Sequence, residues 1–234
     1  MNDEAVRLSK RVAALVPCSR SEAERYIEGG WVRVDDKVVD MPQARVSEAQ
    51  AVTLDKGASL LALMPITLLY HQTGEAASAL PTAGQQWPGD RSGVRVLAAH
   101  FRALKPLLPL PTGAAGLAVY SQDGRILRKL TEDALAIEQE ILAEVTGDIR
   151  EGGLARLAHG LSWRNQPLPP IKASWQSERR LRFAIKGIDP AILPWMCAQV
   201  GLNVTQLRRI RVGRLPMAGL PPGQWRYLLP HERF

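Results

Sequence analysis

Between Val6 and Val39 the chain has little choice of fold, because helix, stop and turn signals follow one another too closely for anything but a small module. Val6, Leu8, Val12 and Leu15 recur at roughly helical spacing, and Pro17, which cannot continue the hydrogen-bond ladder, sets the end of that helix. Ser19 followed by Glu22 is a capping-box pattern. It starts a second short helix with Ala23, Tyr26 and Ile27 on its apolar face and Gly29-Gly30 as its stop. Trp31 to Val34, an Asp35-Asp36 turn and Lys37 to Val39 read as a hairpin. Val52 to Leu54 supplies a closing strand and Lys56 to Ser59 a linker, so the expected domains are 1–59 and 60–234.

The larger part alternates strand and helix signals with many turns. Strands are expected at Ile66 to Tyr70, up to Gln122 before Asp123-Gly124, at Ile141 to Val145, at Leu181 to Ile185 and at Val204 to Val212. Helices are expected at Val94 to Leu104, after Gly124 on Ile126, Leu127 and Leu130, and at Gly153 to Gly160, while Ala76 to Gly93 reads as loop. Strands outnumber helices, which favours an α+β fold with flanking helices on a mixed, mainly antiparallel sheet.

Charge is concentrated at one end. Residues 1–55 carry a net −2 and residues 56–171 a net +1, whereas eleven Lys and Arg against three Asp and Glu leave +8 in residues 172–234, within an overall +7. A concentrated basic surface is the footprint of a polyanion partner. Cys18 and Cys197 are too far apart in sequence for a disulfide framework or a zinc site, and the four His form no ligand cluster, so no metal or cofactor is expected. The N-terminus lacks an apolar run, and Leu60 to Leu69, broken by Pro65, is far short of a membrane span. A cytoplasmic monomer off the membrane is the expectation.

The order helix, Pro-Cys-Ser-Arg turn, helix and hairpin in RLSKRVAALVPCSRSEAERYIEGGWVRVDDKVV resembles the small αL RNA-binding domain named after ribosomal small-subunit protein four. The resemblance implies that Arg7, Lys10, Arg11, Arg20, Arg25, Arg33 and Lys37 face RNA phosphates, where cations gain affinity by displacing counterions. The alternative for each is an ordinary solvated residue, and Glu24, Glu28, Asp35 and Asp36 make this copy less basic than a strong binder.

The C-terminal MCAQVGLNVTQLRRIRVGRLPMAGLPPGQWRYL is similar to the end of bacterial ribosomal-RNA pseudouridine synthases of the small-subunit type, which also carry an αL domain. That family isomerises uridine with an Asp in a Gly-Arg-Leu-Asp-x-x-Thr/Ser-x-Gly-Leu loop followed by Asp-Gly. Here Gly116-Leu117 and Asp123-Gly124 keep that spacing, which sets the nucleophile position on Pro111, its preceding Arg on Pro109 and the Thr/Ser on Ala114. The family Tyr aligns with Ile141. The helix supplying the Asp's Arg partner aligns with Ala191 to Trp195, Pro194 included, and the opening Lys-Pro-x-Gly is reduced to Gln72-Thr73-Gly74-Glu75.

An attacking carboxylate needs a cation to keep it ionised and a Tyr to assist, and all three are missing together. The resemblance therefore implies a catalytically degenerate member that binds RNA, structured ribosomal RNA in particular, also through Arg208, Arg209 and Arg211. Alternation along the last strand would put Arg209 and Arg211 on one face and Arg208 on the other. The competing expectation is an active isomerase with a rearranged site that uses Asp90 or Asp123. A ligand on the apolar Leu107 to Leu110 loop is a third. Trp163, Trp175 and Trp195 suit either base stacking or core.

Overall fold

The structure, a computed structural model, describes residues 5–74 and 80–234; Glu75 of the reduced motif and the next four residues of the expected loop lie outside them. The chain divides into two units. One runs to Pro65 and takes in Gly93–Ala103, and the other comprises Ile66–Ser92 and Leu104–Phe234.

The first unit contains β1 (Val6–Arg7), α1 (Leu8–Leu15), α2 (Arg20–Glu28), β2 (Val32–Val34), β3 (Lys37–Val38), β4 (Arg45–Val46) and β5 (Val52–Leu54). The capping box forms as its sequence requires: Glu22 N donates to Ser19 Oγ at 3.2 Å and Ser19 N donates to Glu22 Oε2 at 2.8 Å. Asp35 and Asp36 take left-handed φ values of 49° and 63°, the twist that a two-residue hairpin turn demands and that Asp tolerates. β2 lies between β3 and β5, and β1 pairs with β4. Leu8, Val12, Ala23, Ile27, Val32, Val34 and Val46 form the core.

Helix is expected at Val94 to Leu104, most of which lies in the first unit's Gly93–Ala103 segment. It forms one 3-10 turn, Ala98–Phe101, within an extended strap on the first unit. The reason is where its groups are satisfied. Arg95 donates to the Gly30 carbonyl, Ala98 N donates to Asp40 Oδ2 at 2.5 Å, and Arg102 pairs with Glu28 at 2.6 Å. Leu97 is buried, with its Cδ2 against Gly30. The Ala98 contact takes a backbone donor that a helix would have used internally, and the two arginine side chains tie the strap down on either side of it.

The second unit contains β6 (Thr67–Gln72), β7 (Lys105–Leu107), β8 (Ala115–Ser121), α3 (Gly124–Glu132), β9 (Gln139–Thr146), α4 (Gly153–Ala158), β10 (Ser162–Trp163), β11 (Gln166–Pro167), β12 (Lys172–Ser177), β13 (Arg180–Ile185), α5 (Leu193–Ala198), β14 (Asn203–Val212), β15 (Leu215–Pro216) and β16 (Trp225–Tyr227). One sheet runs β12-β13-β9-β14-β8-β6-β16, with β15 on β14 and β7 on β8. Its pairings are antiparallel except β14 with β8, so the fold is α+β around a mixed, mainly antiparallel sheet. β6 and β8 are buried throughout, as expected of strands covered on both faces, whereas β9 alternates beyond Ile141. β12, β16 and the β10–β11 hairpin carry no strong sequence signal; Lys172 to Ser177 alternates in exposure at the sheet edge.

Gly116 is a steric requirement of the central crossing. Its φ is +110°, and a Cβ there would lie 2.2 Å from the Arg209 carbonyl oxygen, so only glycine lets β8 and β14 approach.

Candidate functional site

The loop Leu108–Ala114 joins β7 to β8. Ala114 N donates to the Pro111 carbonyl at 2.9 Å, closing a turn, and Leu108 sits at φ 48°, a strained region for a branched side chain. Arg209 holds that strain in place. From β14 its Nε donates to Leu117 O at 2.7 Å, and its Nη1 donates to Leu108 O at 2.7 Å and to Gln139 Oε1 at 3.0 Å. The residue is 1% exposed, its Nη2 is buried without a hydrogen-bond partner, and no carboxylate pairs with it among the described residues. Burial pulls its guanidinium down to about 9, which still leaves it charged at neutral pH.

Of the positions aligned with the nucleophile, the Tyr and its Arg partner, Ile141 enters a buried apolar cluster, whereas Pro111 and Pro194 are not among its members. Ala114, Ile141 and Leu193 are 2%, 2% and 0% exposed and belong to one apolar cluster, with Leu110, Ile192 and Trp195 packed against it. Pro111 is half-buried on the loop and Pro194 is exposed. Apolar side chains fill these positions, and the buried Cys197 thiol among them is pushed up to about 12 by burial. In this environment a carboxylate would be protonated rather than nucleophilic.

A carboxylate does stand nearby, on the other face of β9. Ile141, Ala143 and Val145 enter the cluster, so alternation sends Glu144 the opposite way. Glu144 lines a cleft of about 760 Å³ with Thr73, Gly74, Gly113, Thr205 and Gln206. Gly74, at the variable position of the reduced opening motif, has a steric requirement: a Cβ there would come within 2.7 Å of the Gly113 carbonyl oxygen. Arg180 donates to Glu144 Oε1 at 2.7 Å. Sequence reasoning reads Arg179, Arg180, Arg182 and Lys186 as a basic set flanking a strand but passes over Glu144, although Glu140 and Glu144 on one strand and Arg180 and Arg182 on another carry the signal of a cross-strand charged face.

That face changes the meaning of the C-terminal basic excess. Arg180 pairs with Glu144, Arg182 with Glu140, and Arg211 with both Glu138 and Glu140. Burial pushes the Glu140 carboxyl up, but its hydrogen bonds from Arg211 and Arg182 outweigh this and hold it below its ordinary value. Two expectations for this region need correcting. Arg209 is inside the sheet and faces no phosphate. Arg211 is engaged by two acids, and a bulge between Arg209 and Arg211 breaks the simple alternation that put them on one face. Arg208 is half-buried and has no acidic partner among the described residues.

In the first unit Arg7, Lys10, Arg25 and Lys37 are exposed and Arg11 half-buried, and none pairs with an acid among the described residues. Arg20 is paired with Glu24 at 3.0 Å. Arg33 is tied to Asp55 at 2.9 Å and donates to the Asp36 carbonyl at 3.0 Å.

Both candidate rescue acids are engaged by neighbouring groups of the fold. Asp90, expected in a flexible segment, accepts from Tyr227 N at 3.2 Å, Gln86 Nε2 at 3.0 Å and Ser92 N at 2.9 Å. Asp123 caps α3 by accepting from Arg125 N, and the Arg125 side-chain hydrogen bond is the largest cause of its lowered pKa. Trp175 and Trp195 pack against the apolar cluster, and Trp163 stands edge-on to Trp195 with ring centres 4.6 Å apart. No helix among the described residues is long and apolar enough to cross a membrane.

Comparison with known proteins agrees with this architecture. Residues 6–52 match the S4 domain. Along 97% of its length the chain is 28% identical to an uncharacterized RNA pseudouridine synthase of Aquifex aeolicus, covering 94% of that protein. It is 25% identical to ribosomal large subunit pseudouridine synthase B of Bacillus subtilis, over 97% of this chain and 93% of the relative. It is 24% identical to the dual-specificity RNA pseudouridine synthase RluF of Escherichia coli, over 98% and 78%. A crystal structure of a pseudouridylate synthase superposes with a TM-score of 0.55 over 95% of this chain and 96% of that one, at 18% identity, which speaks for the fold. The chain is thus a homologue of the RNA pseudouridine synthases, and its residues 6–52 are an S4 domain.

Proposed function

We propose that this protein binds structured ribosomal RNA and does not isomerise uridine. The observation that carries the second half is the apolar cluster in which Ala114, Ile141 and Leu193 meet beside the Pro111 loop, where the aligned chemistry needs an ionised carboxylate, a phenol and a cation. The first half rests on the S4 domain, on relatives named for RNA, and on cations that form no salt bridge among the described residues: Arg7, Lys10, Arg11, Arg25, Lys37 and Arg208. We place it in the cytoplasm, where such RNA is found, and expect a monomer without a cofactor.

The test is to incubate the purified full chain with ribosomal RNA, measuring binding against salt and mapping pseudouridine. Binding that weakens with a log–log slope of about −0.7 to −0.9 per phosphate contact, with no new pseudouridine, is the expected result. No binding at low salt overturns the RNA reading, and pseudouridine formed in proportion to enzyme overturns the non-catalytic one.

A second reading, a uridine isomerase with a rearranged site, has one observation on its side. Glu144 is a cleft carboxylate kept beside a cation, Arg180, at 2.7 Å, and the cleft borders the loop at Gly113. Pseudouridine formation abolished by Glu144→Gln would establish it.

A further inference from the structure

Two cavities of the second unit share Glu144 and Thr205. The larger, about 760 Å³, adds Thr73, Gly74, Gly113 and Gln206, and the smaller, about 240 Å³, adds Val145, Thr146, Ser177, Arg179 and Arg180. Together they make a continuous groove whose lining is hydroxyl, amide, glycine backbone and charge, with Val145 the one large apolar contributor. Such a lining does not suit a hydrophobic ligand. It has a direction as well: acceptors and the Gln206 amide at one end, two arginines at the other.

The charged groups are only partly used within the protein. Glu144 gives Oε1 to Arg180 and is 43% exposed, which leaves the second oxygen open to a donor. Arg180 Nε is buried without a hydrogen-bond partner. Arg179 is exposed and has no acidic partner among the described residues. A carboxylate oriented by an arginine, with hydroxyls around it, reads a flat group that carries two adjacent N–H donors. Among the RNA bases guanine alone presents them, N1–H beside the N2 amino group. Cytosine and adenine offer one amino group next to an acceptor, and uracil flanks its single N–H with two carbonyls that would face the carboxylate lone pairs. The exposed Arg179, in the lining of the smaller cavity, stands where the same nucleotide's phosphate can be met.

We infer that this groove takes an unpaired guanine nucleotide of an RNA strand, its base on Glu144 and its phosphate on the Arg179–Arg180 turn. This rests on the RNA-binding reading above and gives that reading a base preference. It also assigns Glu144 a recognition role, on the sheet face away from Ile141, in place of a nucleophilic one.

The experiment uses the full chain and four fluorescein-labelled octaribonucleotides that differ only in a central G, C, A or U, with fluorescence anisotropy read at several salt concentrations. The G probe is expected to bind about 10-fold more tightly than the U probe. Glu144→Gln should erase that preference and leave U binding within about 3-fold, since the amide keeps the shape. Arg179→Gln should weaken all four probes alike and reduce the salt slope by about 0.7. Thermal melts of both variants matching the wild type show that the fold is kept. A preference that survives Glu144→Gln overturns the inference. So does a wild type that binds ribosomal RNA yet shows no guanine preference among the octamers or does not bind them. A wild type that binds neither overturns the RNA-binding reading as well.

Discussion

Arg209 donates to the main-chain carbonyl of Leu108 at 2.7 Å, tying the central strand β14 to the loop that carries Pro111. The bond joins residues 101 apart in sequence, and the same guanidinium also serves Leu117 and Gln139. Arg209→Ala should cost about 3–5 kcal/mol, because it opens a cavity and strands buried acceptors. Arg209→Met, which fills the space but donates nothing, should still cost about 2 kcal/mol. Urea unfolding followed by circular dichroism checks both; a Met variant as stable as the wild type would show that the three acceptors find other partners.

Much of this was legible in the residues. Ser19 and Glu22 announced a capping box that the backbone forms, and Asp35-Asp36 announced its turn. The spacing from Gly116 to Asp123 sets a register for the loop, and of the aligned positions Pro111, Ile141 and Pro194 it is Ile141 that enters the apolar cluster, while Pro194 is exposed. What the sequence hid was long-range. Arg209 looked like one more surface cation, and nothing local says that β14 is flanked on both sides, by β9 and β8. The helix read at Val94 to Leu104 failed because Asp40, Glu28 and the Gly30 carbonyl, far away in sequence, compete for its groups. Glu144 was overlooked because its interest comes from Arg180 opposite and from Gly113 across the cleft.

Acid stability should depend on Glu140. Its carboxyl is held below its ordinary 4.5 in the folded chain, so the stabilisation is present at neutral pH and is lost as pH falls through the folded-state value. Glu140→Gln should lower stability by about 2 kcal/mol at pH 7 and flatten the loss below pH 4.5, because the proton-linked part of that loss is gone. Melting temperatures from pH 7 to pH 3 for both proteins give the comparison; parallel curves would remove Glu140 from the acid transition.

The strap on the S4-containing unit is testable through one contact. Leu97 is 4% exposed and touches Gly30, whose φ is +70° and where a Cβ would fall 2.6 Å from Leu97 Cδ2. Leu97→Ala should cost about 2–4 kcal/mol. Gly30→Ala should be destabilising by a comparable amount through strain and overlap, and the pair should be less harmful together than their sum. A double-mutant cycle by chemical denaturation reads this directly.

The two thiols should differ in reactivity. Cys197 is fully buried with its pKa pushed up to about 12, and Cys18 is half-buried with a smaller upward shift from burial and from Glu22. With a chromogenic disulfide at pH 8, one slow equivalent from Cys18 is expected in the native protein and two in urea. Two native equivalents would mean that the apolar cluster around Cys197 opens readily.

Restoring the missing nucleophile alone should not restore isomerisation. Pro111→Asp leaves Ala114, Ile141 and Leu193 as they are, with no phenol or cation to support the carboxylate. Pseudouridine mapping of ribosomal RNA treated with this variant should match the untreated control, and a new modified site would point to Arg209 as a sufficient partner.

The position of β14 has a consequence in time. On the ribosome, β6, β8 and β9 are all made before Asn203–Val212, yet β14 is the strand that joins β8 to β9. Until it emerges, the two halves of the sheet present open edges, and Leu108 has no guanidinium to hold it. Folding of this unit is therefore expected to be a late, nearly all-or-none event of the nascent chain, in which a stop codon just before residue 203 leaves no folded subdomain to salvage.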